Sequence, residues 1–356
     1  MRIAIVNDLT LAVEALRRVV RSIPSASIAW VARDGREAIE MCGRDRPDLV
    51  LMDLIMPGVD GVEATRAIMQ GSPCPVLVVT ASVRGNVGKV YEALGNGAID
   101  AVATPRLGLG GGLEGAAELV RRIETVRALA RELPPPANAR ADEDARASTR
   151  TVERPQGALP LVAIGASTGG PRAIATVLAG LPADLPAAVA IVQHIDSSFA
   201  PGLALWLQRR TSLRVAPLVT ATVLRPGHVW LASGDGHLVL RDDLRLDLAA
   251  EPRQSLHRPS IDVFFESIAR HLPGRGCAVL LTGMGRDGAV GLLALRRAGY
   301  HTIAQDEQSS VVWGMPRIAI ETGAAIEILP LEGIGARVAA YVATLAARPL
   351  PKEKER

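Results

Sequence analysis

The chain has few cysteines and no long apolar run. Its 356 residues include three cysteines, Cys42, Cys74 and Cys277, whose spacing fits neither a metal-ligand set nor a redox pair, so we expect them to be reduced. No apolar run reaches the ~18 residues of a membrane span, and the strand-like segment after Met1 does not have the pattern of a signal peptide. These absences favour a cytoplasmic protein without direct membrane insertion.

The chain also lacks a strong excess of either charge. Forty Lys and Arg residues against 37 Asp and Glu give a net charge of +3 at pH 7, which is too small to predict a nucleic-acid partner. The composition, 48% hydrophobic and 22% charged, is that of a globular protein. A chain of this length is sufficient for two domains with separate cores.

A segment without apolar periodicity divides the sequence. Residues 134–158 are rich in proline, alanine and charge, which is typical of a flexible linker. We therefore predict a domain at 1–130, a linker at 131–158 and a second domain at 159–350. Both domains alternate short apolar strands with amphipathic helical segments, the pattern of parallel α/β sheets. Two apolar runs around the GDG at 234–236 predict a β-hairpin insertion in the second domain.

Polar residues follow three strands of the first domain. Asp8, Asp53 and Thr80 come after the first, third and fourth predicted strands, and the carboxyl ends of parallel strands meet on one face. Taken singly, each is better explained as a helix N-cap. Together they predict a pocket in which the two carboxylates hold Mg2+ and Asp53 attacks a phosphoryl group.

With the segment DLIMPGVDG, which begins at Asp53, this domain resembles a response-regulator receiver, which has a flavodoxin-like parallel sheet. The resemblance implies Asp53 as phosphoacceptor, Asp8 and Asp53 as Mg2+ ligands and Thr80 as the switch hydroxyl. Two positions depart from the receiver pattern. Asn7 stands where the first acid of a pair is usual, and Thr104 stands where a lysine is usual, so the pocket loses one negative charge and one charge-assisted contact to phosphate.

The segment LVAIGASTGGPRAI, residues 161–174, begins the second domain and has two interpretations. One is a glycine-rich phosphate loop at a helix N-terminus. The other is a nucleophile elbow, because Gly165 to Gly169 match G-x-S-x-G around Ser167. The glycine spacing differs from that of a dinucleotide fingerprint, and the second strand ends in Gln193 and His194 instead of an acid. Both features favour the elbow.

Two further loops supply partners for the serine. His194 leaves a strand predicted to neighbour that of Ser167, so it is placed to act as general base. Asp287, in the loop TGMGRDG after a third strand, is placed to orient the imidazolium, and the glycines around Met284 allow backbone N–H groups to approach as an oxyanion hole. Ser167 and Asp287 also have structural alternatives as helix caps, the latter for the helix GAVGLLALRRAG.

The segments GASTGG, VQH, HRPSIDVFFESIA, TGMGRDG and AQDEQSSVVWGMP resemble, over residues 159 to about 347, the catalytic domain of chemotaxis protein-glutamate methylesterases, the CheB family. The resemblance implies a doubly wound α/β domain that hydrolyses glutamate methyl esters, and often glutamine amides, on the cytoplasmic helices of methyl-accepting chemoreceptors without a cofactor. It implies Ser167, His194 and Asp287 as the triad and the backbone N–H of Met284 as oxyanion donor.

The family resemblance also bears on substrate contact and regulation. We expect Thr168, Arg258 and Gln305 to border the substrate cleft. In the family, a CheA-type histidine kinase is the phosphodonor, and the receiver covers the cleft until it is phosphorylated. The receiver segments around Asp8 and Asp53 more specifically resemble the subgroup of surface-sensing, Wsp-type pathways.

Two other functions stay open from the sequence. The output domain of a response regulator can bind a nucleotide without chemistry, and a non-catalytic scaffold can bind receptors and sequester phosphate. The glycine spacing and His194 argue against the first, and the complete set of candidate catalytic residues argues against the second. A DNA-binding output is less favoured, because the second domain is large and the net charge is low.

Overall fold

This computed structural model describes residues 1–80, 87–107, 113–131, 159–195, 199–253, 255 and 257–346. The strands of the first part are β1 (Arg2–Val6), β2 (Ser27–Ala32), β3 (Leu49–Met52), β4 (Val76–Thr80), β5 (Asp100–Ala103), β6 (Arg106–Leu107) and β7 (Leu113–Glu114). Its helices are α1 (Thr10–Ser22), α2 (Gly35–Arg44), α3 (Gly61–Gly71), α4 (Val87–Gly95) and α5 (Ala116–Arg131).

The second part follows in the same alternating manner. Its strands are β8 (Leu161–Ala166), β9 (Ala188–Gln193), β10 (Arg214–Leu218), β11 (Thr222–Val223), β12 (His228–Ala232), β13 (His237–Leu240), β14 (Arg245–Ala249), β15 (Gly276–Leu280), β16 (His301–Gln305) and β17 (Glu327–Leu329). Its helices are α6 (Gly170–Ala179), α7 (Ala200–Gln208), α8 (Ile261–His271), α9 (Ala289–Arg297), α10 (Met315–Glu321) and α11 (Leu331–Ala346).

The first part is built on a five-stranded parallel sheet. Its strand order is β2-β1-β3-β4-β5, and apolar residues of its central strands are buried on both faces, as expected where helices cover a parallel sheet. The chain enters α2 and α3 at Asp34 and Asp60, whose carboxylates accept from helix N–H groups and supply the caps that those ends need. The predicted flavodoxin-like α/β fold is confirmed.

The second part is built on a seven-stranded parallel sheet. Its order is β10-β12-β9-β8-β15-β16-β17. The chain adds strands on one side of β8 and then returns to add β15 on the other side, so β8 and β15 flank the switch point where ligands bind in doubly wound folds. The predicted adjacency of the strands that carry Ser167 and His194 is confirmed, with Ala166 opposite Gln193.

The predicted hairpin lies one strand further along the chain than expected. The two runs around the GDG do not pair with each other: β12 joins the main sheet between β9 and β10, whereas β13 pairs antiparallel with β14 in a separate sheet. The turn between β13 and β14 contains Leu244 at φ 61°, and its ends are joined by the hydrogen bond from Arg241 N to Arg245 O, at 2.9 Å. The GDG sequence favours a tight turn between the two runs. However, β12 takes a buried parallel position in the main sheet, so it pairs with β9 and β10 instead of β13.

The two parts contact each other through α4, which packs against α6 and α7. The hydroxyl of Tyr91 donates to the carbonyl oxygen of Phe199 at 2.9 Å, and both residues are buried. Residues 132–158, which include most of the predicted linker, lie outside the described residues, as do residues 347–356 at the end of the second predicted domain. The domain boundaries themselves stay predictions.

The cysteines have the environment expected from their number and spacing. Cys42, Cys74 and Cys277 are buried and none forms a disulfide. No helix in the described part of the chain is long and apolar enough to cross a membrane.

Candidate active site

Ser167 lies in the turn between β8 and α6, at the carboxyl edge of the main sheet. Its N–H donates to the carbonyl of Thr282 at 3.0 Å, and its own carbonyl accepts from Gly170 N at 2.8 Å. Gly169 has φ +78°, and a Cβ on it would lie 2.6 Å from Cβ of Val311. This turn therefore needs glycine both for its left-handed backbone and for the close contact with the neighbouring loop.

His194 follows β9 directly and lies beside this turn. Its N–H donates to Ala166 O at 3.0 Å, and its ring Nε2 lies 2.8 Å from Oδ2 of Asp287. Since a carboxylate accepts, Nε2 carries the proton and Nδ1 is the basic nitrogen. Nδ1 is buried and has no hydrogen-bond partner among the described residues. His194, Asp287 and Ser167 are each 8% exposed, so the ring offers a free acceptor in a nearly dry site.

Asp287 lies at the N-terminus of α8. Its Oδ1 accepts from Ser260 Oγ at 2.9 Å and from Asp262 N at 3.1 Å, and its Oδ2 accepts from Ile261 N at 2.8 Å in addition to His194. Burial acts to raise the pKa of Asp287, but the His194 contact and these N–H donors together hold it well below its ordinary value. The carboxylate is therefore ionised and fixed in orientation.

The helix-cap alternative for Asp287 is corrected by this arrangement. The helix GAVGLLALRRAG begins as α9 at Ala289 with Gly288 at its N-cap, and no side chain caps it. Asp287 instead binds the end of α8, which precedes it by about 25 residues in sequence. Ser260 is the N-cap residue of α8, and its hydroxyl also accepts from Val263 N.

The glycine-rich loop after β15 passes against the serine turn. A Cβ on Gly283 would lie 2.6 Å from Cβ of Ser167. The loop is held by Gly283 N, which donates to Val312 O, and by Gly283 O, which accepts from Met315 N at 2.8 Å. Met284 is 39% exposed, and its N–H takes part in none of the backbone hydrogen bonds of the described residues. Among the described residues this N–H has no backbone partner, so it is available to a ligand beside the serine.

Two residues of the pocket predicted in the first part, Asp8 and Asp53, lie close together. Asn7 Nδ2 donates to Oδ2 of Asp53 at 3.1 Å, and Leu54 N donates to Oδ1 at 2.7 Å. Burial raises the pKa of Asp53, and the charge of nearby Asp8 raises it further against the opposing backbone donors. Asp8 Oδ1 is buried without a partner among the described residues, and so is the hydroxyl of Thr104.

Comparisons with known proteins agree with both parts. Residues 162–338 match the family model described as CheB methylesterase, and residues 3–106 match that of the response regulator receiver domain. The chain is 48% identical over 340 residues to a protein-glutamate methylesterase/protein-glutamine glutaminase of Mesorhizobium japonicum, covering 95% of this chain and 98% of that one. This chain belongs to the CheB family. A Pseudomonas putida member, from its group 3 operon, is 49% identical over 343 residues, covering 96% of this chain and all of its own.

A solved structure of a CheB catalytic domain is similar to the second part. The Thermotoga maritima CheB methylesterase catalytic domain is 33% identical, with a TM-score of 0.50, and the match covers 52% of this chain and 99% of that domain. The CheB-type architecture of a receiver followed by an α/β methylesterase domain, expected from the sequence motifs, is therefore confirmed.

The three residues expected at the rim of the CheB cleft have different environments. Arg258 is exposed, and its guanidinium donates to the carbonyl of Ala250. Thr168 is buried. Gln305 departs from the prediction, because it is fully buried and both ends of its amide are used internally: Oε1 accepts from Thr282 N at 2.8 Å and Nε2 donates to Ser309 O at 2.8 Å. Through these two hydrogen bonds Gln305 links the loop after β15 to the loop after β16.

Two neighbours of the serine and histidine were not assigned from sequence. Gln193 is buried, and its Nε2 donates to the carbonyl of Ser167 at 2.7 Å. The ring of His257 stacks on that of His194 with centroids 4.3 Å apart and planes 14° from parallel. Burial, and then the His194 ring, lower the pKa of His257 to about 4, so His257 is neutral at pH 7. Both residues lie in sequence segments that resemble the CheB catalytic domain, but their contacts are seen only in the fold.

The receiver of this CheB chain contacts the elbow itself. Ile99, just before β5, accepts a hydrogen bond through its carbonyl from Gly169 N at 3.0 Å. The charges of Arg121 and Arg122 on α5 reach His257 and add to the lowering of its pKa. The structure therefore has the receiver placed against the serine turn.

Proposed function

We propose that this chain hydrolyses the methyl esters of glutamate side chains, and deamidates glutamines, on the cytoplasmic helices of methyl-accepting chemoreceptors, with Ser167, His194 and Asp287 as its catalytic residues. The observation that carries the proposal is the state of His194: Nε2 is bound to a fixed carboxylate, and the buried Nδ1 has no partner among the described residues. That is the arrangement a general base needs beside a serine elbow.

The reaction is acyl transfer with balanced proton movements. The Ser167 hydroxyl loses its proton to His194 Nδ1 while its oxygen bonds to the ester carbonyl carbon, and Asp287 stabilises the imidazolium. The carbonyl oxygen becomes an oxyanion that accepts from the N–H of Met284. The bond to the methoxy oxygen then breaks, and methanol leaves with the proton from His194. A water then gives a proton to His194 while its oxygen bonds to the acyl carbon; the bond to Ser167 Oγ breaks, that oxygen takes the proton back from His194, and glutamate is released. With a glutamine substrate the leaving group is ammonia.

The proposed regulation begins at the receiver pocket. Asp53 is the phosphoacceptor, a CheA-type histidine kinase is the phosphodonor, and Thr80 is the switch hydroxyl. The buried, unpartnered Oδ1 of Asp8 beside Asp53 suits a hard cation, so these two carboxylates would hold Mg2+. The described residues contain no cluster of three or more His, Cys, Asp and Glu side chains suited to a metal, in keeping with Asn7 in place of an acid. Mg2+ would neutralise phosphate charge during transfer; the esterase reaction itself uses no cofactor.

The receiver-covered elbow is the proposed low-activity state. The bond between Ile99 and Gly169 lies two residues from the nucleophile, and α4 packs on α6 and α7. A receptor helix needs this face, so the receiver must move before the substrate can reach Ser167. The cytoplasm is the proposed compartment, and the Wsp-type pathway stays a prediction from the receiver segments.

The test is methanol release from methylated receptor cytoplasmic domains, measured for wild type and Ser167→Ala. Ser212→Ala is the matched control, because Ser212 is exposed in the loop before β10. Release by the wild type and the control, with loss in Ser167→Ala, supports the proposal. Equal release by all three would overturn the assignment of the nucleophile, and release by none over several receptor types would favour a scaffold function.

A further inference from the structure

The carboxylate of Asp287 is oriented by a chain of contacts that reaches the hairpin insertion. Three of its hydrogen bonds come from the first residues of α8: the hydroxyl of Ser260 and the N–H groups of Ile261 and Asp262. The position of the α8 N-terminus therefore determines the position of Asp287. Any group that fixes this helix end fixes the acid that faces His194.

His237 is the group that fixes it from the other side. It opens β13 and is fully buried, and its Nδ1 accepts from the N–H of Ser260 at 3.0 Å. Its Nε2 lies 3.1 Å from the carbonyl oxygen of Pro252. Because a carbonyl only accepts, Nε2 must carry the proton, which leaves Nδ1 unprotonated for Ser260. Both ring nitrogens are satisfied in one tautomer only.

The hairpin is itself attached to α8 at a second point. The N–H of Leu240, at the other end of β13, donates to the hydroxyl of Ser267 at 2.9 Å, and Ser267 lies two turns into α8. The strand thus runs along the helix and holds it at both positions. His237 is the contact that lies next to Asp287.

The protonation state of His237 suits this contact. Burial lowers its pKa, and the nearby charge of Arg258 acts in the same direction, whereas the Pro252 carbonyl, Asp287 and Glu251 oppose the shift. The ring is therefore neutral at pH 7 and keeps Nδ1 available as an acceptor.

We propose that His237 is a positioning residue for the esterase reaction, holding Ser260 and the N-terminus of α8 where they orient Asp287 toward His194. The inference rests on the proposed catalytic triad. His237 does not touch the substrate; it acts through Asp287. Its loss is expected to lower kcat and leave KM nearly unchanged, because substrate binding does not use it.

The experiment measures kcat and KM for methanol release by His237→Leu, His237→Asn and His228→Leu in the full chain. Asn places its side-chain oxygen near the position of Nδ1 and can still accept from Ser260, whereas Leu cannot. His228 stands at the amino end of β12, a parallel strand of the main sheet, and so lies away from the carboxyl edge that carries Ser167; it therefore controls for the loss of an imidazole. We expect kcat to fall about tenfold or more in His237→Leu, with KM within about twofold, and Asn and the control to stay near wild type. An unchanged kcat in folded His237→Leu would overturn the proposal.

A double-mutant cycle separates positioning from general loosening. In an Asp287→Ala background, His237→Leu is expected to cost no further kcat, since the group through which it acts is gone. An equal fractional loss in both backgrounds would refute the proposal. If Leu prevents folding, His237→Gln replaces it: its amide lies near Nε2, so Gln is expected to be impaired where Asn is active, and equal activity of the two would refute the proposal. Full activity in Ser167→Ala would instead refute the triad.

Discussion

Asp287→Asn tests whether one carboxylate serves both the helix and the catalytic site. The four donors around it are arranged in pairs, with Ser260 Oγ and Asp262 N at Oδ1 and with Ile261 N and His194 Nε2 at Oδ2. An amide supplies only one accepting oxygen. Whichever way it turns, its NH2 group meets a backbone N–H, so one buried donor loses its acceptor.

The magnitudes follow from these contacts. A buried N–H without a partner costs about 1–3 kcal/mol, so we expect the free energy of unfolding to fall by about that amount. If the amide oxygen takes the Oδ2 position, the tautomer of His194 is kept but the charge that stabilises its imidazolium is lost. If it takes the Oδ1 position, the tautomer is lost as well. In serine hydrolases such a loss lowers kcat by about 10²–10⁴-fold.

The assays are denaturant unfolding and methanol release, with Ser167→Ala as the comparison. Ser167→Ala is expected to lose activity without the stability loss, because its backbone bonds remain. The stability difference between wild type and Asp287→Asn also depends on pH. The pKa of Asp287 is lowered in the folded state, so its contribution is complete above its ordinary pKa of about 4 and declines as the pH falls below that value. A variant as stable and as active as wild type at pH 7 would refute the reasoning.

Three further outcomes are expected. Tyr91→Phe removes the hydrogen bond to the carbonyl of Phe199 between the two parts, which is worth about 1 kcal/mol, so methanol release without phosphorylation should rise by up to about fivefold; an unchanged basal rate would contradict a role for this contact in closure. Gly169→Ala should lower both stability and kcat, because φ +78° and the contact with Val311 exclude a Cβ, and unfolding curves that match those of wild type would contradict this. Thr104→Lys should prolong Asp53 phosphorylation or increase its extent in the presence of Mg2+, because the ammonium would contact the phosphoryl oxygens; phosphate-transfer assays that show no change would contradict this.

The strands, and the polar residues that follow them, could be predicted from the sequence. The apolar runs predicted both parallel sheets, because strands buried on both faces must be apolar throughout. Neighbouring strands place Ser167 and His194 on one edge, and Asp287 follows the strand on the other side of β8. A parallel sheet brings its carboxyl ends together whatever its loops do, so residues at strand ends were the predictable part of the site.

Contacts that depend on packing between distant elements were decided only by the tertiary structure. The sequence allowed Asp287 to cap the helix that follows it, whereas the fold attaches it to α8. Gln305 stands in a motif near the cleft, but burial turns its amide inward. His237 sits in a segment predicted to pair with β12, and its link to Ser260 exists only because β13 pairs with β14 and packs on α8. The sequence pattern shows which face of a helix or strand is apolar. The polar group that accepts a hydrogen bond from a buried donor, however, can come from an element far away in the chain, so it is known only from the tertiary structure.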